Sequence, residues 1–135
     1  MGINATAINH VIVAVEDLDA AVETFTETWG LTLDRRAESA AMGIEMAYFP
    51  VGESVLELVM PTTDSESNPT RRQLNRNGEG FYLLCFRVED IHAAVADLRA
   101  KGCTVTDPAG SDEVLEAFVS PKSSHGAGMQ LIQHL

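Results

Sequence analysis

The segment Val15-Glu16-Asp17-Leu18-Asp19-Ala20-Ala21-Val22 recurs as Val88-Glu89-Asp90-Ile91-His92-Ala93-Ala94-Val95, each residue moved 73 positions along the chain. The same shift sets Leu56-Glu57-Leu58-Val59 against Met129-Gln130-Leu131-Ile132, and His10 against Leu83. A repeat of this length marks a supersecondary unit that cannot bury its apolar face alone and must pair with its copy. Polar residues at matched places, Glu57 and Gln130, point to a site shared by the copies.

Hydrophobic spacing gives each copy the order βαβββ. In the first, residues 8–15 read as a β-branched strand, and Asp17 caps a helix whose apolar residues Leu18, Ala21, Val22, Phe25 and Trp29 recur until Gly30 ends it. Residues 31–35, 44–51 and 55–60 read as three further strands, with Gly52-Glu53 as a tight turn between the last two. In the second copy residues 81–88 read as a strand and 90–101 as a helix closed by Gly102. Residues 103–106, 114–119 and 128–133 supply three strands. Between the copies Ser67 or Asn68 can cap a short helix with Pro69 in its first turn. The expected fold is α+β: one domain of two paired modules, 7–61 and 80–135, joined by a linker at 62–79. Together they form a curved, cup-shaped mixed sheet with the helices outside.

Composition narrows the function classes. Nine basic against 20 acidic residues give a formal charge of −11, which repels phosphate backbones and anionic membrane surfaces, so neither nucleic acid nor a membrane is the expected partner. No apolar stretch approaches the roughly 20 residues needed to cross a bilayer. Two cysteines and no secretory leader pattern fit a reducing, cytoplasmic protein. A small molecule is the expected ligand, and the open strand edges of an eight-stranded sheet favour a homodimer.

Alternation along the strands assigns faces. His10 and Glu57 fall on the face away from the first helix. Leu83, Cys85, Arg87, Gln130 and Ile132 fall on the matching face of the second copy. A carboxylate within such a wall must be paired, hydrated or metal-bound, because leaving it bare costs several kcal/mol or more. Each side chain also has an ordinary reading. His10 can be a satisfied structural histidine or a partner for Glu57, and Gln130 can simply hydrogen-bond to Glu57 or water. Arg87 can receive a substrate carboxylate or pair with a neighbouring acid, and Cys85 reads as a small core residue. Tyr48 can stack on a ligand or merely pack, and His125, in the loop Ser123-Ser124-His125-Gly126, can line the mouth of the cup or do nothing specific.

Paired βαβββ modules carrying these residues resemble the vicinal oxygen chelate superfamily, the group of glyoxalase I, bleomycin-resistance proteins, extradiol dioxygenases and methylmalonyl-CoA epimerase. The likeness rests on His10-Val11-Ile12-Val13-Ala14-Val15, Leu56-Glu57-Leu58-Val59-Met60-Pro61, Gly78-Glu79-Gly80 leading into Cys85-Phe86-Arg87-Val88-Glu89-Asp90-Ile91, and Pro121-Lys122-Ser123-Ser124-His125-Gly126. The epimerase-like branch is the most similar.

The resemblance implies a divalent ion (Co, Mn, Ni, Zn or Fe) held by His10, Glu57 and Gln130. His10 and Glu57 are also the expected catalytic residues. Leu83, Cys85, Arg87, Tyr48 and His125 are expected to line the substrate. Two departures stand out. Leu83 occupies the place of a fourth ligand, and Ala40-Ala41-Met42-Gly43-Ile44 has no counterpart of the family's acid/base glutamate, although Glu38 and Glu45 lie nearby. The implied activity is an epimerase, isomerase or lyase acting through a metal-stabilised enolate of a small carbonyl compound or acyl thioester. The alternatives are a metal-free binding protein of the resistance type and a metal-independent tailoring enzyme using the same cup.

Overall fold

The computed structural model describes residues 2–135. The elements run β1 (Ala5–Ala14), α1 (Leu18–Glu23), β2 (Arg35–Ser39), β3 (Ile44–Val51), β4 (Ser54–Pro61), α2 (Pro69–Asn77), β5 (Gly80–Val88), α3 (Ile91–Ala100), β6 (Ala109–Gly110), β7 (Val114–Val119) and β8 (Met129–His134). The order βαβββ therefore occurs twice with α2 between, in an α+β fold whose eight strands follow the order β2-β3-β4-β1-β5-β8-β7-β6. β5 and β8 run parallel, while β2–β3, β3–β4, β6–β7 and β7–β8 are antiparallel.

The repeated octet does the same job in both places. Asp17 accepts from the Ala20 amide at 3.1 Å and Asp90 from the Ala93 amide at 3.0 Å, so each acid caps its helix. The following residue, Leu18 or Ile91, is fully buried. A cap of this kind is worth about 1 kcal/mol, and the buried residue beside it fixes which side of the helix meets the sheet.

Contacts divide the chain into two compact units, one of residues 11–82 and the other of the residues up to His10 with 83–135. In the first, α1 lies on Val15, Ala47, Phe49 and Leu58, with Leu56 and Met60 packed alongside. In the second, α3 supplies Ile91, Ala94 and Val95 to a core with Val88, Val105, Ala117, Val119 and Leu131. Asn68 caps α2, accepting from the Thr70 and Arg71 amides, and its own amide donates to the Gly43 carbonyl at 2.8 Å, which ties α2 to the β2–β3 turn.

Three expectations from the sequence need correction. The helical run does not carry Trp29 inward: residues 24–28 widen into a π-turn, Trp29 donates to the Thr24 carbonyl five residues back, and the ring ends 68% exposed. β2 begins at Arg35 rather than Leu31, because Leu31 bonds back to the Phe25 carbonyl, and Leu31 and Leu33 pack on the core without joining the ladder. Residues 103–106 make one isolated bridge, Val105 to Val119, and the short β6 takes the expected strand's place.

Candidate functional site

In the unit built on α3, the strand residues that reach the helix are Val88, Ala117, Val119 and Leu131. Residues alternating with them face the other way: Cys85, Leu83 and Arg87 on β5, Glu116 and Phe118 on β7, and Gln130 and Ile132 on β8. Gln130 stands beside Cys85 in the parallel pair and opposite Phe118 in the antiparallel one. His10, at the end of this unit's share of β1, is 7% exposed and Gln130 3%.

These positions are joined by a chain of hydrogen bonds. The Asn9 side-chain amide donates to His10 Nδ1 at 2.9 Å. An amide nitrogen can only donate, so Nδ1 accepts and the imidazole proton sits on Nε2. His10 Nε2 then donates to Gln130 Oε1 at 3.2 Å, and Gln130 Nε2 donates to the Glu116 carboxylate. Burial pushes the His10 pKa below the usual imidazole value, the Gln130 bond opposing this and the nearby His134 adding to it. Burial pushes the Glu116 carboxyl up, with the Gln130 bond pulling the other way.

Glu116 was not among the residues singled out from the sequence. It interrupts the apolar strand Val114-Leu115-Glu116-Ala117-Phe118-Val119 just as Glu57 interrupts β4, and that signal could have found it. The repeat hid it, because the matching position 73 residues earlier is Gly43, which has no side chain.

In the other unit Leu56 and Leu58 belong to the α1 side, which leaves Glu57 on the opposite face. At 8% exposure Glu57 is the one buried carboxylate among the described residues. Its cross-strand neighbour is Tyr48, whose own neighbour on β2 is Arg35, and the guanidinium carbon lies 4.2 Å from the centre of the Tyr48 ring. Glu38 and Glu45 are cross-strand partners in line with Ala47 and Phe49 on the α1 side, where Glu45 comes within 3.8 Å of Arg36. Neither replaces the missing acid/base glutamate.

The remaining expected residues are more dispersed. Cys85 is buried, Leu83 half-buried and Arg87 exposed on β5. His125 is exposed and left-handed (φ 56°) after a short helical turn at residues 121–124, outside the hydrogen-bonded chain.

No group of three or more His, Cys, Asp or Glu side chains that could hold a metal ion occurs among the described residues. The His10 and Gln130 donors nevertheless suit two adjacent positions on one divalent ion. Ligand bonds of about 2.1 Å at right angles separate neighbouring donors by about 3 Å, and these two stand 3.2 Å apart. Holding an ion requires a lone pair on Nε2, so the ring proton must move to Nδ1 and the Asn9 amide must turn its oxygen to meet it.

Two βαβββ runs, and in one unit a hydrogen-bonded chain of imidazole, amide and carboxylate on the side of the strands away from α3, define a protein of duplicated βαβββ type. The chain belongs to the glyoxalase/bleomycin resistance protein/dioxygenase superfamily, whose family model matches residues 9–118. It is 28% identical over 131 residues to the ethylmalonyl-CoA/methylmalonyl-CoA epimerase of Cereibacter sphaeroides, covering 93% of this chain and 96% of that protein. It is 33% identical over 109 residues to the 2-epi-5-epi-valiolone epimerase of an Actinomyces species, covering 72% and 60%. Among solved structures it resembles Streptomyces coelicolor methylmalonyl-CoA epimerase, a variant in complex with 2-nitronate-propionyl-CoA. The TM-score is 0.87 at 29% identity, covering 97% of this chain and 96% of that one. No helix among the described residues is long and apolar enough to cross a membrane.

Proposed function

We propose that the chain is an epimerase that removes and returns the proton on the carbon next to the carbonyl of an acyl-coenzyme A thioester. The observation that carries this reading is the His10–Gln130 pair, two buried donors 3.2 Å apart at positions where the family resemblance expects ligands. The likeness to epimerases over nearly the whole chain supports the substrate class. So does the nitronate ligand of the Streptomyces coelicolor enzyme, since a nitronate carries its charge as a deprotonated α-carbon does.

Glu57 is assigned the proton. It is buried, it lies on the face away from α1, and neither Glu38 nor Glu45 shares that face. As the α C–H bond breaks, the proton passes to the Glu57 carboxylate and the electron pair spreads onto the carbonyl oxygen; solvent water then donates a proton to the opposite side of the α-carbon, which inverts the centre, and Glu57 gives its proton to the hydroxide left behind. His10 and Gln130 are the residues that would hold a divalent ion. When bound, such an ion acts as a Lewis acid that stabilises the charge developing on substrate oxygen.

The test is solvent exchange. Protein supplied with Co(II) and methylmalonyl-CoA in deuterated water should place deuterium on the α-carbon, and Glu57→Gln should slow this by about 10² to 10⁴ while the fold persists. No exchange by the Co(II)-supplied wild-type chain would end the reading.

Leu83 favours a second reading, a metal-free site, since it removes a donor and makes its surroundings more apolar. Exchange that persists in the presence of a chelator would select it. The exposed apolar side chains Ile8, Val51 and Phe81, with the unpaired outer edges of β2 and β6, support a homodimer, to be checked by sedimentation.

A further inference from the structure

We infer that Glu116 is a positioning residue that orients the Gln130 amide and supplies the negative charge that Gln130 lacks. The inference rests on the reading of His10 and Gln130 as the ion-holding pair. An amide side chain has two chemically different ends of nearly equal size, and nothing in its shape decides which end faces His10. Here the carboxylate of Glu116 decides it: a carboxylate accepts only, so it binds the Gln130 NH2 group and turns Oε1 toward His10 Nε2.

The geometry makes this a specific arrangement. Glu116 pairs across the ladder with Ile132 and Phe118 with Gln130, so Glu116 reaches Gln130 along the diagonal of the β7–β8 pair, on the face away from α3. A carboxylate accepting from the NH2 group also draws electron density toward the amide oxygen. Partners of this kind raise the basicity of a ligand and are worth about 10- to 100-fold in metal affinity. Without Glu116 the amide could rotate and present its NH2 group to His10, leaving two donors facing each other. The same rotation would remove Oε1 as a ligand.

Glu116→Leu removes the acceptor at similar size, and Glu116→Gln removes the charge while keeping an acceptor oxygen. Two readouts are needed: the 15N shifts of the His10 ring in protein without added metal, and titration with Co(II) alone. The Leu variant should shift the His10 signals away from the Nε2–H form and weaken Co(II) binding about 10- to 100-fold. The Gln variant should keep the His10 signals and show a smaller loss of affinity. Thermal melts identify any variant that fails to fold, and in that case the Gln variant's Co(II) titration decides. Unchanged ring signals and unchanged Co(II) binding in a folded Leu variant would overturn the inference, as would Gln-variant binding equal to wild type where that titration decides. A wild-type chain that ignores Co(II) while the Leu variant still shifts the ring would reject the ion-holding reading and support the positioning role.

Discussion

Asn9 Nδ2 lies 2.9 Å from His10 Nδ1, a contact between neighbours in sequence that acts together with the Gln130 Oε1 bond at Nε2 to hold the imidazole proton on Nε2. Replacing Asn9 by Ala should therefore populate both tautomers of His10, visible as averaged 15N ring signals, with a stability loss of about 1 kcal/mol. Ring signals identical to wild type would show that Gln130 alone sets the tautomer.

Leu83 offers the cleanest gain-of-function test. It occupies the strand position 73 residues after His10, on the same face of β5 as Cys85, which neighbours Gln130. Leu83→His should raise Co(II) or Zn(II) affinity by about tenfold or more by adding a nitrogen donor, measured by calorimetry. No gain would argue against an ion at His10.

Glu57→Gln is expected to lower the rate of α-proton exchange by about 10² to 10⁴. Ligand binding should persist, since the amide keeps the size of the side chain. A variant with wild-type exchange would move the proton-transfer role elsewhere.

Stability should respond to pH through His10 and Glu116 in opposite senses. The folded-state pKa of His10 lies below its ordinary 6.5, so the unfolded chain takes up a proton first as the pH falls. Its contribution is fully present above pH 6.5 and is lost below it. Glu116 is raised above 4.5, so its contribution is present below that value and is lost as the pH rises through the folded-state pKa. Urea melts of His10→Gln should accordingly show less acid destabilisation below pH 6.5 than wild type, and a steeper acid loss would contradict the assignment.

Asn68 tests the frame rather than the chemistry. Its side chain caps α2 and donates to Gly43 and Thr63, so Asn68→Ala should cost about 1 to 3 kcal/mol in chemical denaturation. Gly43→Ala should also destabilise, because φ is 65° there and an added Cβ would meet Asn68 Nδ2 at 2.8 Å.

The parts of the fold legible in the sequence were those where local chemistry and burial agree. Residues 44–51 and 114–119 were placed to the residue because alternation, β-branching and turn glycines coincide. Asp17 was legible as a cap and Asn68 as one of two candidates beside Ser67, whereas Asp90, read as the first helical residue, is the cap of α3. The failures arose where burial occurs without strand pairing, at Leu31 and Leu33, and where the edge strand β2 is largely polar and charged. His10 and Gln130 were legible through the repeat and the family resemblance. Glu116 was not, because its partner position holds a glycine and its role depends on a diagonal contact that no sequence spacing encodes.

The π-turn after α1 has a practical consequence for all of these measurements. The chain's single tryptophan, Trp29, is already 68% exposed in the native state, so its emission should be red-shifted before any denaturant is added and change little on unfolding. Circular dichroism, rather than intrinsic fluorescence, is the signal that will report whether a variant of this protein has kept its structure.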